Sequence, residues 1–145
     1  MDKTFQKPFT HCCQRAYFMV PEKRTDNQAK RIEVHVDQYH FFVVKHQNQL
    51  FIPTNEGLRL IGVNIDWISE LGSKRRAVLK RRGFSFEEKL LCYQIQSDGG
   101  NNWFFASSYS LSDWMAIWSY FASRRNFKAV RLLKYLAQKA WEDFV

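Results

Sequence analysis

The sequence predicts an α+β protein made of a β-hairpin, a helix-turn-helix-like helix pair, a second Gly-rich hairpin and two C-terminal helices. Three observations carry this. Ile32, Val34 and Val36 alternate with Glu33, His35 and Asp37, a period of two that belongs to a strand with one wet face. Two short apolar segments between Thr54 and Gly72 each run from a capping residue to a glycine. Trp114, Ile117, Trp118 and Phe121 fall at i, i+3, i+4 and i+7, the stripe of a helix with one buried side. Residues 1–31 read as an N-terminal arm, partly irregular, and residues 32–145 as a single domain.

Taken in order, the arm is polar, with Pro8, Pro21 and one apolar patch from Ala16 to Val20. After the first strand, Tyr39-His40-Phe41-Phe42-Val43-Val44 is a β-branched and aromatic run, and Lys45 to Gln49 separates it from Leu50-Phe51-Ile52, so the pair reads as a hairpin. Pro53 stops the second strand because it has no N–H to donate. Thr54 N-caps a short helix that Gly62 ends, and Asn64 caps a second over Ile65–Leu71 that Gly72 ends. Leu90–Ile95 and Trp103–Ala106 flank Ser97-Asp98-Gly99-Gly100-Asn101, a turn that needs its glycines. Ser110-Leu111-Ser112-Asp113 has capping-box spacing with Asp for Glu. Arg124-Arg125-Asn126 forms a turn, and the last helix puts Ala129, Leu133, Leu136 and Ala140 on one face.

The chain has 145 residues and a net charge of +8. With 46% hydrophobic and 17% aromatic residues it builds a core and is no disordered tail. No apolar run is long enough to span a membrane, no signal-peptide core follows Met1, and three cysteines without a CxxC fit a reduced, cytoplasmic setting. The charge is uneven. Residues 73–145 carry thirteen Lys/Arg against six Asp/Glu, whereas residues 32–72 carry two against five. That concentration suits a polyanionic partner, whose condensed counterions are released on binding. Solubility alone is the competing explanation.

The segment from Glu56 to Leu71 supplies the spacing of a helix-turn-helix: Ile61 and Val63 around Gly62, then Ile68 and Leu71 on the buried side of the second helix. The small residue that lets two such helices approach is due at Leu58, and Gly57 stands beside it. On this reading Asn64, Asp66, Trp67 and Ser69 approach base edges, and Lys74, Arg75, Arg76, Lys80, Arg81 and Arg82 contact phosphates. Arg124, Arg125 and Lys128 form a secondary basic patch. The competing explanations are a plain αα-corner and a solvated helix face. Against the second, six like charges within nine residues repel, and Glu87 and Glu88 are too few to neutralise them.

Other chemistry is less well supplied. The Asp98–Asn102 tip has no basic residue with which to act as a wing. His35 and Asp37 share a strand face, with His40 and His46 near by in sequence, but no HxH or HExxH pair is present. His11, Cys12 and Cys13 are too few for zinc. There is no phosphate-binding glycine loop and no nucleophile elbow. The expectation is a non-enzymatic protein without cofactor or metal that binds double-stranded DNA in a regulatory role. The runner-up is an adaptor or inhibitor docking an acidic protein. The third is a small metal-dependent nuclease using Asp37. A homodimer is open, since five tryptophans are generous for this length.

The order of elements resembles the Bro-N and KilA-N group of DNA-binding domains found in phage antirepressors and large DNA viruses. The resemblance covers about residues 39–135: Leu50-Phe51-Ile52-Pro53 before Glu56 to Val63, then Gly99-Gly100, the apolar Leu111 to Phe121, and Arg124-Arg125-Asn126-Phe127-Lys128-Ala129. The chain departs from the group at Ser108-Tyr109-Ser110-Leu111 and in the reversed Lys128-Ala129. The resemblance implies transcription regulation of phage or mobile-element type, through DNA or through another DNA-binding protein, without catalysis.

Overall fold

The structure, a computed structural model, describes residues 27–36, 38–97 and 100–144. The chain is α+β, and its described residues form five strands and four helices in the order β1 (Lys30–Val36), β2 (Tyr39–His46), β3 (Gln49–Pro53), α1 (Thr54–Arg59), α2 (Ser73–Arg81), β4 (Lys89–Ser97), β5 (Gly100–Ser110), α3 (Leu111–Ala122) and α4 (Phe127–Phe144). Its contacts divide it into two units: residues 1–56 with 87–110, which hold the sheet, and residues 57–86 with 111–145, which are helical.

The sheet is antiparallel throughout, in the order β1-β2-β3-β5-β4. It curls, so that the segment entering β1 meets β4: Gln28 pairs with Cys92 in a parallel bridge, and the Ala29 N–H donates to the Cys92 carbonyl at 2.7 Å. The buried His46 adds a tie from Nδ1 to the Gln28 carbonyl at 2.9 Å, and Asn27 Nδ2 donates to the Leu90 carbonyl at 2.8 Å. Of the expected arm, Lys30 and Arg31 lie in β1, and residues 27–29 are tied to β4 by bonds that satisfy backbone groups an irregular segment leaves to water. Residues 1–26, with His11, Cys12 and Cys13, lie outside the described residues, as do Asp37, Asp98 and Gly99.

The first hairpin turn is tighter than the sequence suggests. Lys45 and His46 pair with Leu50 and Gln49, so only Gln47 and Asn48 turn the chain, at φ of 51° and 66°. Positive φ at both central residues is the twist that suits a two-residue hairpin. One face of the sheet buries Val44, Phe51, Leu91, Tyr93 and Ala106, with Ala29, Phe42, Ile95 and Phe104 packed on them. Burial of Tyr93 pushes its phenol up to about 12; Glu56 adds to the rise and Arg31 opposes it.

In the helical unit, Trp114, Ile117 and Trp118 of α3 are fully buried, as their spacing requires. Gly62 closes α1 at φ +72°, with Val63 N donating to Leu58 O and Gly62 N to Arg59 O, the two bonds of a Schellman motif. The second expected helix does not form. Residues 65–70 are a run of turns, held mostly by i to i+3 bonds such as Trp67 N to Asn64 O. The cause lies in the side chains. Asn64 Oδ1 accepts from Asp66 N at 2.7 Å and Ser69 Oγ donates to Asp66 O at 2.9 Å, so polar groups satisfy the backbone locally. Gly72 does not end a helix but stands at the N-cap of α2 with extended backbone.

Two further details differ from expectation. Thr54 donates its hydroxyl to the Ser107 carbonyl at 3.2 Å, a bond within the sheet unit. On α4 the deeply buried positions are Ala129 and Leu132; Leu133 and Leu136 are half-buried and Ala140 is exposed. No helix among the described residues is long and apolar enough to cross a membrane.

Candidate nucleic-acid interface

The charge follows the division of the chain. The sheet unit has nine Lys/Arg against nine Asp/Glu, and the helical unit has thirteen against five, so the whole surplus of +8 belongs to the helical unit. Most of it lies on α2 and the corner after it. Lys74, Arg75, Arg76, Lys80, Arg81 and Arg82 are all exposed, and Leu79 is the one buried residue of this helix. The run Lys-Arg-Arg-Ala-Val-Leu-Lys-Arg-Arg thus folds as a helix held by Leu79 on one side and cationic over the rest. Gly83 closes it at φ +101°, with Phe84 N donating to Leu79 O.

Among the described residues none of these six cations has a carboxylate within ion-pair distance; ion pairs elsewhere include Arg31–Glu33 and Lys139–Glu142. Two of the six, Arg76 and Arg82, lie over aromatic rings. The Arg76 guanidinium lies 4.3 Å from the Phe86 ring centre, and Phe86 packs edge-on to Phe84 at 4.5 Å.

The structure brings together two groups that the sequence kept apart. Arg82, at the end of α2, donates from Nη2 to Ser123 Oγ at 3.1 Å, and Arg124 Nη1 reaches the same oxygen at 3.4 Å. Both guanidinium groups lie over the buried Tyr120, Arg124 at 3.8 Å and Arg82 at 6.0 Å from the ring centre. Ser123 spends its own hydroxyl hydrogen on the Tyr120 carbonyl at 2.7 Å, so its oxygen is left to accept from both arginines. The ring face and the carbonyl end of α3 offset part of the repulsion between them. Two exposed guanidinium groups on one hydroxyl oxygen retain further N–H donors, and a phosphate oxygen is an acceptor such a pair suits.

Arg125 sits at φ 66° in the corner after α3, where Asn126 N donates to Phe121 O and Arg125 N to Ala122 O, and its side chain is exposed. Asn126 caps α4: its Oδ1 accepts from Ala129 N at 3.0 Å while its Nδ2 donates to the Ile61 carbonyl at 3.0 Å. Lys128 crosses the same corner, its Nζ 3.3 Å from where a side chain on Gly62 would begin. The Ile61-Gly62-Val63 corner therefore docks the start of α4 instead of turning into a reading helix.

None of the four expected base readers stands on a helix: Asn64 precedes the run of turns, Asp66, Trp67 and Ser69 lie in it, and Trp67 packs on Phe121 and Tyr120 with ring centres 4.6 and 5.6 Å away. The position of close approach is Gly57, against Trp114 of α3 and not against a second helix of a helix-turn-helix.

One cluster, of which the sequence reading named His35 and His40 but not Glu33, lies in the sheet unit. Glu33, His35 and His40 bring three potential ligand atoms within 4.8 Å of one another. The signal was the register: a strand Glu-x-His with a histidine directly opposite on the next strand. His46, grouped with His40 by sequence, is buried and bonded to the backbone instead.

Comparison of the chain with protein-family models, with curated proteins and with solved structures finds no match.

Proposed function

We propose that the helical unit binds double-stranded DNA through its phosphates, with α2 and the Arg82–Arg124 pair as the contact surface. The observation that carries this reading is the run of exposed cations on α2 that lack carboxylate partners among the described residues. Such a surface gains by displacing the counterions condensed on a duplex, a gain independent of base sequence. With the reading helix gone, the contacts we assign are positioning contacts. Arg125 and Lys128 extend the surface around the α3–α4 corner. The role we infer is regulatory and non-catalytic, in a reducing cytosolic compartment, as the order of elements resembling phage antirepressor domains suggests.

The exposed Phe127, Val130 and Trp141 of α4, at 71%, 40% and 66% accessibility, favour a second reading in which the unit docks an acidic protein. A mobility-shift assay on random-sequence duplex DNA across a salt series decides between them. Binding that weakens steeply with salt and drops at least about tenfold in Arg82→Ala/Arg124→Ala supports the duplex. No shift at low salt refutes it and leaves the acidic partner.

A further inference from the structure

We propose that Glu33, His35 and His40 form a zinc-binding site at the end of the β1–β2 hairpin. All three are on one face of the sheet. Glu33 and His35 are two apart on β1, and the β1–β2 register sets His40 opposite His35 and Phe42 opposite Glu33, so Glu33 and His40 are diagonal neighbours. The imidazole rings lie 3.9 Å apart, opened by 26°, and both Nε2 atoms point at one carboxylate oxygen: His40 Nε2 is 3.4 Å and His35 Nε2 3.9 Å from Glu33 Oε1.

These distances suit a small tetrahedral ion. Ligands held about 2.0–2.1 Å from zinc stand about 3.3 Å from each other, which the His40–Glu33 pair already meets. The His35 nitrogen closes the remaining gap when its ring rotates out of the stack on His40, and the His35 side chain is 65% exposed. The carboxylate is oriented from behind. Arg31 pairs with Glu33 Oε2, while its guanidinium is anchored 4.2 Å over the Phe42 ring, so Oε1 is the oxygen left for the ion. Two imidazole nitrogens and one carboxylate select a borderline cation such as zinc over calcium or magnesium, which require mostly oxygen ligands. The fourth position goes to water. The Arg31 charge beside the site lowers the affinity for a dication, and bound zinc clamps β1 to β2.

The test uses the full chain freed of metal by a chelator, with Cys12→Ser/Cys13→Ser to remove the competing thiolates. Zinc is titrated calorimetrically, and cobalt(II) by visible absorbance as a spectroscopic substitute. The expected result is one zinc per chain and a tetrahedral cobalt spectrum without sulfur charge-transfer bands. His35→Ala and His40→Ala each weaken zinc at least about tenfold and Glu33→Gln does so to a smaller degree, with circular dichroism unchanged. Binding that does not saturate at millimolar zinc overturns the proposal. So does affinity that is the same in His35→Ala/His40→Ala.

Discussion

Replacing Gly57 by alanine sets two effects of opposite sign against each other. The position is helical, in α1, and helix propensity by itself favours alanine by about 1 kcal/mol. A methyl group there would lie 2.4 Å from Trp114 Cη2 and 2.5 Å from Cε2 and Cζ2, more than an ångström inside carbon contact distance. The ring has no room to retreat, since Trp114 is fully buried and stacked on Trp118 with centres 5.8 Å apart. Moving α1 instead strains the bond from Trp118 Nε1 to the Gly57 carbonyl, 3.1 Å long. Overpacking at the upper end of its usual range, about 3 kcal/mol, plus about 1 for the strained bond, less about 1 for propensity, leaves a net loss of roughly 3 kcal/mol. Urea unfolding followed by tryptophan fluorescence reads this as a midpoint lower by roughly 1–2 M at unchanged slope. Pairing the change with Trp114→Phe should cost less than the sum of the two single changes. An alanine variant as stable as the parent refutes the close packing of α1 on α3.

Three further outcomes follow from the structure. Arg125→Gly should raise thermal stability by about 1 kcal/mol, since it relieves a positive φ, while weakening duplex binding; a variant that melts earlier contradicts the corner geometry. Asp113 is buried and accepts from Ser85 N at 2.9 Å and Ser85 Oγ at 2.7 Å, so Asp113→Ala should cost about 1–3 kcal/mol in denaturant unfolding, and a neutral result removes that role. Tyr93 binds its proton more tightly folded than unfolded, with its phenol pushed from 10.0 to about 12 by burial. Its contribution is therefore fully present below about pH 10 and is lost as pH rises from about 10 to 12, amounting to about 3 kcal/mol. Tyr93→Phe should flatten that alkaline decline, and an unchanged pH profile argues against the burial.

What the sequence revealed, and what it hid, divides by the range of the interaction. The α3 stripe was legible because Trp114, Ile117 and Trp118 obey the helical period themselves, and Gly62 was legible because only its backbone freedom allows the corner it makes. The segment 65–70 misled because its apolar spacing is helical while Asn64 and Ser69 bond to its backbone, a competition that periodicity does not register. Gly57 was noticed as a neighbour of the expected small position, but its partner, Trp114, is far along the chain. The same holds at the candidate interface. The cationic run was plain to see, whereas the meeting of Arg82 with Ser123, 41 residues on, depends on how α2 and α3 pack. Glu33, His35 and His40 needed the strand register before they became a cluster.

The central claim is that the cations of α2 act on phosphates. Fluorescence anisotropy of a labelled random-sequence duplex, titrated at several salt concentrations, tests it most directly. If the cations between Lys74 and Arg82 each neutralise one phosphate, each contributes about −0.9 to the slope of the logarithm of the binding constant against the logarithm of salt, and replacing Arg75, Arg76, Arg81 and Arg82 by alanine makes that slope shallower by about 4. The same slope in both proteins, or no binding at low salt, contradicts the account.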